Sequence, residues 1–245
     1  GKDTLMNLLD HVLGLSVMVP VPAEMLLDQG YSKSSSGPAP DLMTLRGRRI
    51  AYASETDVGR RFSSSKVKWL SGGGRLVARG TYDLEMSYWD ATHTLILLTN
   101  DPPHARADDY AFWARLHLVP FRYMFVANPD PEHPFEKLAA QELPETLKAA
   151  APGTLAWLVR GCLKYLKIGL KPPQEVTDAT LAYRDSEDLI GRFLRESCVV
   201  FSDDDKAQGY KIDEWKVSCA ELYDAFAWWY SRNVSQKRAI SNIKF

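Results

Sequence analysis

The chain opens on Gly1-Lys2-Asp3-Thr4, a glycine and a lysine placed directly before apolar residues at helical spacing. A phosphate-binding loop ends this way, with backbone N–H groups at a helix N-terminus and a lysine ammonium aimed at phosphate oxygens. Taken alone the dipeptide is a weak signal, because an isolated Gly-Lys is more often chance. Its weight comes from three later features in sequence order: Ser54-Glu55 closing one short apolar run, Asn100 closing another, and then Arg115. Hydrolysis of a nucleoside triphosphate needs a lysine on the β/γ-phosphates, a metal, and a carboxylate that orients water. It also needs a polar reader of the γ-phosphate and an arginine against developing charge. All but the metal have a candidate here. Other chemistries are poorly supplied. The five histidines lack metal-ligand spacing with each other or with any cysteine, Asp203-Asp204-Asp205 lacks the alternating ligands of a calcium loop, and no Ser-His-Asp or Cys-His arrangement can be argued.

The elements that must position these residues emerge from the apolar pattern. Leu5, Leu8, Leu9, Val12 and Leu13 recur at helical spacing and predict a first helix ending near Gly14. From Val19 to Pro40 the chain is rich in proline, serine and glycine and reads as a connector with one short helix. Arg48 to Glu55 and Thr92 to Asp101 are apolar runs bounded by polar residues, as expected of strands buried on both faces of a parallel sheet. Between them, Ser71-Gly-Gly-Gly74 and the alternating stretch to Tyr82 predict a turn leading into a hairpin. From Phe135 the pattern becomes helical. Leu155, Leu158, Val159, Cys162, Leu163 and Leu166 form one stripe opposite Arg160, Lys164 and Lys167, and further helices are expected over Asp178–Tyr183, Leu189–Cys198 and Ser218–Tyr230.

Composition bounds the setting. With 45% hydrophobic residues the chain can bury a core, and 30 Lys+Arg against 31 Asp+Glu leave no global field to recruit nucleic acid, so any such site must be local. Three widely spaced cysteines, Cys162, Cys198 and Cys219, argue against a disulfide framework. No apolar run reaches the ~18 residues of a membrane span. A cytoplasmic protein of a bacterial host, or a virus-encoded one, is expected, with no membrane partner.

At the level of motifs the chain resembles the superfamily 3 helicase module of phage and plasmid primase-helicases, a branch of the AAA+ ATPases. LRGRRIAYASETDVGRRF (45–62) is similar to that family's strand with its acidic ending. KWLSGGGRLVARGTY (68–82) resembles its Lys-x-Leu-Thr-Gly-Gly block followed by Arg and Tyr. LILLTNDPP (95–103) is similar to the sensor strand with its Asn, and FWARLHLVPF (112–121) to the block with the arginine finger and closing Pro-Phe. GTLAWLVRGCLKYL and DLIGRFLRES look like its downstream helices. The resemblance implies an α/β AAA+ P-loop core over 1–128, a parallel sheet flanked by helices with its first strand and most of the phosphate loop missing. A helical subdomain over 129–201 and the start of a small DNA-binding or regulatory domain over 202–245, for which a winged helix is one form, would come after it.

It also implies roles. Gly1, Lys2, Asp3, Thr4 and Ser54 would bind ATP, with Lys2 on the β/γ-phosphates. Glu55 would polarise the attacking water, Asn100 would read the γ-phosphate, and Arg115 would reach the ATP of a neighbouring subunit. Mg²⁺ would lie near Asp3, Thr4 and Glu55. A homo-oligomeric ring, most simply a hexamer, is implied, with Lys68, Arg75 and Arg79 contacting single-stranded or forked DNA and a primase or polymerase domain upstream. The sequence departs from the pattern in places: Asp3 stands where Ser or Thr is usual, Gly74 where an acid often comes after the glycines, Gly80-Thr81 where a more basic pair is found, and Trp89 where Phe is usual. Either Asp3 joins the metal shell or it turns away and Thr4 serves. Two alternatives remain open, a catalytically silent DNA-binding or assembly scaffold with the same fold, and an AAA+ motor whose hairpin grips protein.

Overall fold

The computed structural model describes residues 1–30, 37–54, 58–201, 205, 207, 211 and 216–235. The chain packs as two compact units, residues 1–180 and 181–245.

The first unit is α/β, built on a parallel sheet flanked by helices and compatible with a P-loop-type core. Helix α1 (Lys2–Leu13) starts at the opening motif and stops at Gly14, whose N–H bonds Asp10 O and whose φ of 69° is the left-handed value glycine tolerates. Strands β1 (Met18–Pro20), β2 (Ile50–Ser54), β3 (Arg75–Ala78), β4 (Ser87–Asp90) and β5 (Thr94–Leu98) come next in chain order. Three of them run parallel in the order β1-β2-β5, with Met18 opposite Ile50 and Ser54 opposite Leu98, while β3 and β4 pair separately as a hairpin. Met6 and Leu9 of α1 are buried with Met18 against Ile50 and Tyr52 of β2 and Ile96 and Leu98 of β5, so the helix that begins at Lys2 is clamped onto the sheet.

Two expectations change here. Val19 and Pro20, expected within a connector, form an edge strand with Met18. It is held by Val17 O, which accepts from Arg49 N and Ile50 N, and by Val21 N, which donates to Tyr52 O. Proline is tolerated because an edge strand need not donate on both sides. Strand β5 is half-buried along Leu95–Leu98 instead of fully covered, because among the described residues it pairs only with β2.

The single turn α2 (Pro40–Met43) precedes β2, and helix α3 (Ser64–Ser71), with Ser63 at its N-cap, separates β2 from the hairpin. The antiparallel hairpin sets Arg75 opposite Asp90 and Leu76 opposite Trp89. Leu76, Ala78 and Trp89 are buried on one face, so the expected hairpin forms with the pleat that alternation requires. Then come the single turn α4 (Tyr110–Trp113) and a short parallel pair, β6 (Met124–Val126) with β7 (Glu136–Leu138), where helix was expected from Phe135. Helices begin only at α5 (Leu143–Ala149), with α6 (Ala151–Ile168) and α7 (Gln174–Glu187) after it. The stripe on α6 is largely uncovered: Leu158 packs on the core around Met6, but Leu155, Val159, Leu163 and Leu166 remain exposed. Nothing among the described residues lies over them.

In the second unit, α8 (Leu189–Ser197) and α9 (Cys219–Asn233) pack through Phe193, Phe226 and Trp229, with Glu196 accepting from Trp229 Nε1 at 3.0 Å. Asp188 caps α8, and Ser218 with Glu221 forms a capping box at the start of α9. No helix among the described residues is long and apolar enough to cross a membrane.

Candidate functional site

Parallel strands deliver their C-terminal ends to one edge of a sheet, and side chains there converge on the crevice beyond it. At this edge a cleft of about 250 Å³ is lined by Lys2, Asp3, Ser54, Leu98, Thr99, Asn100 and Asp101. Lys2, in the first turn of α1, crosses to the end of β5. Its Nζ donates to Thr99 O at 2.5 Å and to Asn100 Oδ1 at 2.7 Å. Residues 97 and 98 positions apart in the chain are thereby joined by direct hydrogen bonds. Both acceptors are uncharged, and a partly exposed ammonium held by neutral oxygens can exchange them for an anion at modest cost. The free backbone N–H groups at the start of α1 and the positive end of its dipole face the same region.

Of the residues expected to bind nucleotide, the structure brings Lys2, Asp3, Ser54 and Asn100 into one cleft. Gly1 sits at the N-cap of α1 with Phe121 nearby, and a Cβ at Gly1 would meet Phe121 Cδ1 at 3.6 Å. Thr4 does not line the cleft. Glu55, the expected water-orienting acid, lies outside the described residues, which reach Ser54 at the strand end. Asp101 was not anticipated, although its place beside Asn100 on the loop leaving an apolar strand was the available signal. Among the described residues no group of three or more His, Cys, Asp or Glu is arranged to hold a metal by itself. The cleft nonetheless offers two carboxylates beside a lysine and an amide, a set suited to a cation shared with phosphate oxygens.

Arg115 stands apart from this cleft. It lies just after α4, its backbone N donates to Phe112 O at 3.0 Å, and its exposed guanidinium Nη1 donates to Ala111 O at 2.6 Å. The surface carboxylates that could have neutralised it are engaged elsewhere. Asp108 pairs with Arg106 at 2.7 Å and Asp109 with Lys68 at 2.8 Å. The Arg106 guanidinium holds the Asp108 carboxyl below the usual carboxylate range, and the Lys68 ammonium does the same for Asp109.

The basic residues expected to meet DNA are likewise partnered within the chain. Lys68 on α3 holds Asp109, Arg75 on β3 faces Asp90 on β4 at 3.4 Å, and Arg79 donates to Asp83 O at 3.1 Å. Asp83 also accepts from Gly80 N at 2.9 Å, which orders the end of the hairpin. This end presents apolar residues alternating with acids: Tyr82 is 95% and Leu84 99% exposed, with Asp83 and Glu85 also exposed beside them. The sequence signal was the stretch Tyr82-Asp-Leu-Glu-Met86, in which large apolar residues alternate with acids inside a turn.

No protein-family model matches the sequence. The chain is similar to viral proteins provisionally named as helicases or primases. It is 28% identical to a helicase-named protein of Acanthamoeba polyphaga mimivirus, across 97% of this chain and 24% of that protein. It is 25% identical to a primase-named protein of African swine fever virus, across 98% of this chain and 25% of that one. With a helicase-named protein of Frog virus 3 the identity is 26%, across 95% and 23%. The chain thus spans about a quarter of the length of the curated relatives it matches.

Proposed function

We propose that this chain is the ATP-hydrolysing core of a viral or mobile-element replication helicase, one that moves along single-stranded DNA as a ring. The observation that carries the reading is the bridge from Lys2 Nζ to Asn100 Oδ1 and Thr99 O inside a cleft at the C-terminal edge of a parallel sheet. The helicase and primase names of its viral relatives support the same reading.

On binding nucleotide, Lys2 leaves its neutral acceptors for β- and γ-phosphate oxygens, and Asn100 turns its amide to the γ-phosphate. Ser54 at the end of β2 lines the cleft, and Glu55, the next residue in the chain, would orient the attacking water. Asp3 and Asp101 would hold Mg²⁺ together with the phosphates; when bound, the ion supplies charge neutralisation of the oxygens. Arg115, solvent-exposed and away from its own cleft, acts on the nucleotide of a neighbouring subunit, so hydrolysis depends on assembly. The β3–β4 hairpin reaches the strand, with Tyr82 offering a face on which a base can stack and Arg75 and Arg79 close to the backbone.

The test is ATP hydrolysis by the full-length protein with and without single-stranded DNA, beside Arg115→Ala and mixtures of the two. DNA stimulation that is lost in the variant, and lost more than proportionally in mixtures, is expected. A DNA-independent rate that Arg115→Ala leaves unchanged would overturn the reading.

A second reading is favoured by one observation: the hairpin end exposes Tyr82 and Leu84 beside acids, and its arginines already have acidic or carbonyl partners. A motor that grips protein would use such a surface. Single-strand binding that is undetectable at low salt would favour it. The silent-scaffold alternative predicts equal hydrolysis by wild type and Glu55→Gln.

A further inference from the structure

We propose that Lys68 is a positioning residue that ties the hairpin to the segment carrying Arg115, coupling strand contact to hydrolysis. This link rests on the motor function proposed for the chain and goes beyond it by naming the mechanical connection.

Helix α3 and β3 are separated by only Gly72-Gly73-Gly74, which tethers the hairpin beside α3. Lys68, in the last turn of α3, donates from Nζ to Asp109 Oδ2 at 2.8 Å. Ser64, four positions earlier and on the same helical face, also bonds the Asp109 carboxylate through its side chain. The Asp109 carboxylate is therefore held from the last turn of α3. Its second oxygen, Oδ1, accepts from Phe112 N at 3.1 Å, the cap of α4. That helix is a single turn with no length of its own to fix its direction, so the Asp109 bonds do much of that work.

Beyond the cap, Phe112 is fully buried against Phe62 with ring centroids 5.3 Å apart, and Trp113 Nε1 donates to Arg106 O. Arg115 comes two residues later, bonded back to Phe112 O and Ala111 O. The contacts from α3 to the Arg115 segment include one ion pair, whose side chains are 35% and 16% exposed. This shielding keeps the pair less screened than the open Arg75–Asp90 pair, at 71% and 68%. It also leaves the Lys68 ammonium occupied by a carboxylate and held on α3, not offered from the hairpin strands.

The experiment uses the full-length protein and measures the ratio of DNA-stimulated to unstimulated ATP hydrolysis, together with single-strand affinity at several salt concentrations. The variants are Lys68→Ala, Asp109→Asn, the double variant and Lys68→Arg; the asparagine keeps an oxygen for the Phe112 cap while removing the charge. Both single variants are expected to lower the stimulation ratio by about fivefold or more, the lower end of typical coupling between sites. The double variant should fall no further, Lys68→Arg should restore the ratio, and affinity and its salt dependence should stay at wild-type values. A weaker affinity with a shallower salt dependence in Lys68→Ala but not in Asp109→Asn would overturn the proposal and make Lys68 a phosphate contact. Stimulation retained in both single variants, or losses that add in the double one, would also overturn it. If the wild type itself shows no stimulation, the underlying reading fails and this one with it.

Discussion

The cleft and the hairpin carry the same class of side chain in opposite states. In the cleft, the ammonium of Lys2 is held by a carbonyl and an amide oxygen, both neutral, so its charge is available to an incoming anion. Beside and on the hairpin, Lys68 and Arg75 are paired with the carboxylates of Asp109 and Asp90, whereas Arg79 bonds the backbone oxygen of Asp83 and the exposed tip carries Tyr82 and Leu84. A basic residue in a promising place is therefore not equivalent to a basic site. What decides is whether the fold has already given the charge a partner, because an anion must then displace a carboxylate instead of a neutral oxygen.

Substitutions in the two regions should separate them. If the cleft is the nucleotide site, Asn100→Ala should lower kcat for ATP hydrolysis by about 10²-fold, the scale of losing one donor at a developing charge, with KM changed far less. Steady-state kinetics on the full-length protein would reveal this. If the hairpin contacts the strand through stacking, Tyr82→Ala should weaken single-strand affinity by about tenfold, within the range of one lost base stack, and Tyr82→Phe should preserve it. Fluorescence anisotropy with a labelled oligonucleotide would distinguish these variants. The smallest effect belongs to Arg75→Ala. Because Asp90 already answers its charge, the loss of affinity should stay within a few-fold and the slope of log affinity against log salt should fall by no more than about one. A large, salt-steep loss there, with Tyr82→Ala silent, would reverse the contrast between cleft and hairpin.

The sequence made α1, β2 and β5 readable because each carries a run of apolar residues whose period reports its own conformation. Lys2, Ser54 and Asn100 of the cleft were legible in the same way, since they sit at the ends of those elements, whereas Asp101 was not singled out and Thr4 does not line the cleft. Strand β1 was not, because three residues including Pro20 have no pattern of their own and become a strand only by pairing with Ile50–Tyr52. Helix α3 was missed for a related reason: it buries only Leu70, too little to set a period. The partner of Lys68 lies 41 positions away in the chain, a distance over which no local pattern speaks. The exposure of the α6 stripe shows the converse limit, that an amphipathic period predicts a helix and an apolar face without saying what covers it.

The motor reading stands or falls on whether the cleft at the sheet edge takes nucleotide phosphates through Lys2. This is measured by ATP hydrolysis of the full-length protein with Lys2→Ala, at saturating single-stranded DNA and nucleotide. A fall of at least about 10²-fold is expected, since the ammonium has no charged substitute in the cleft. A rate within twofold of wild type would contradict it and would place the nucleotide, and with it the motor, elsewhere.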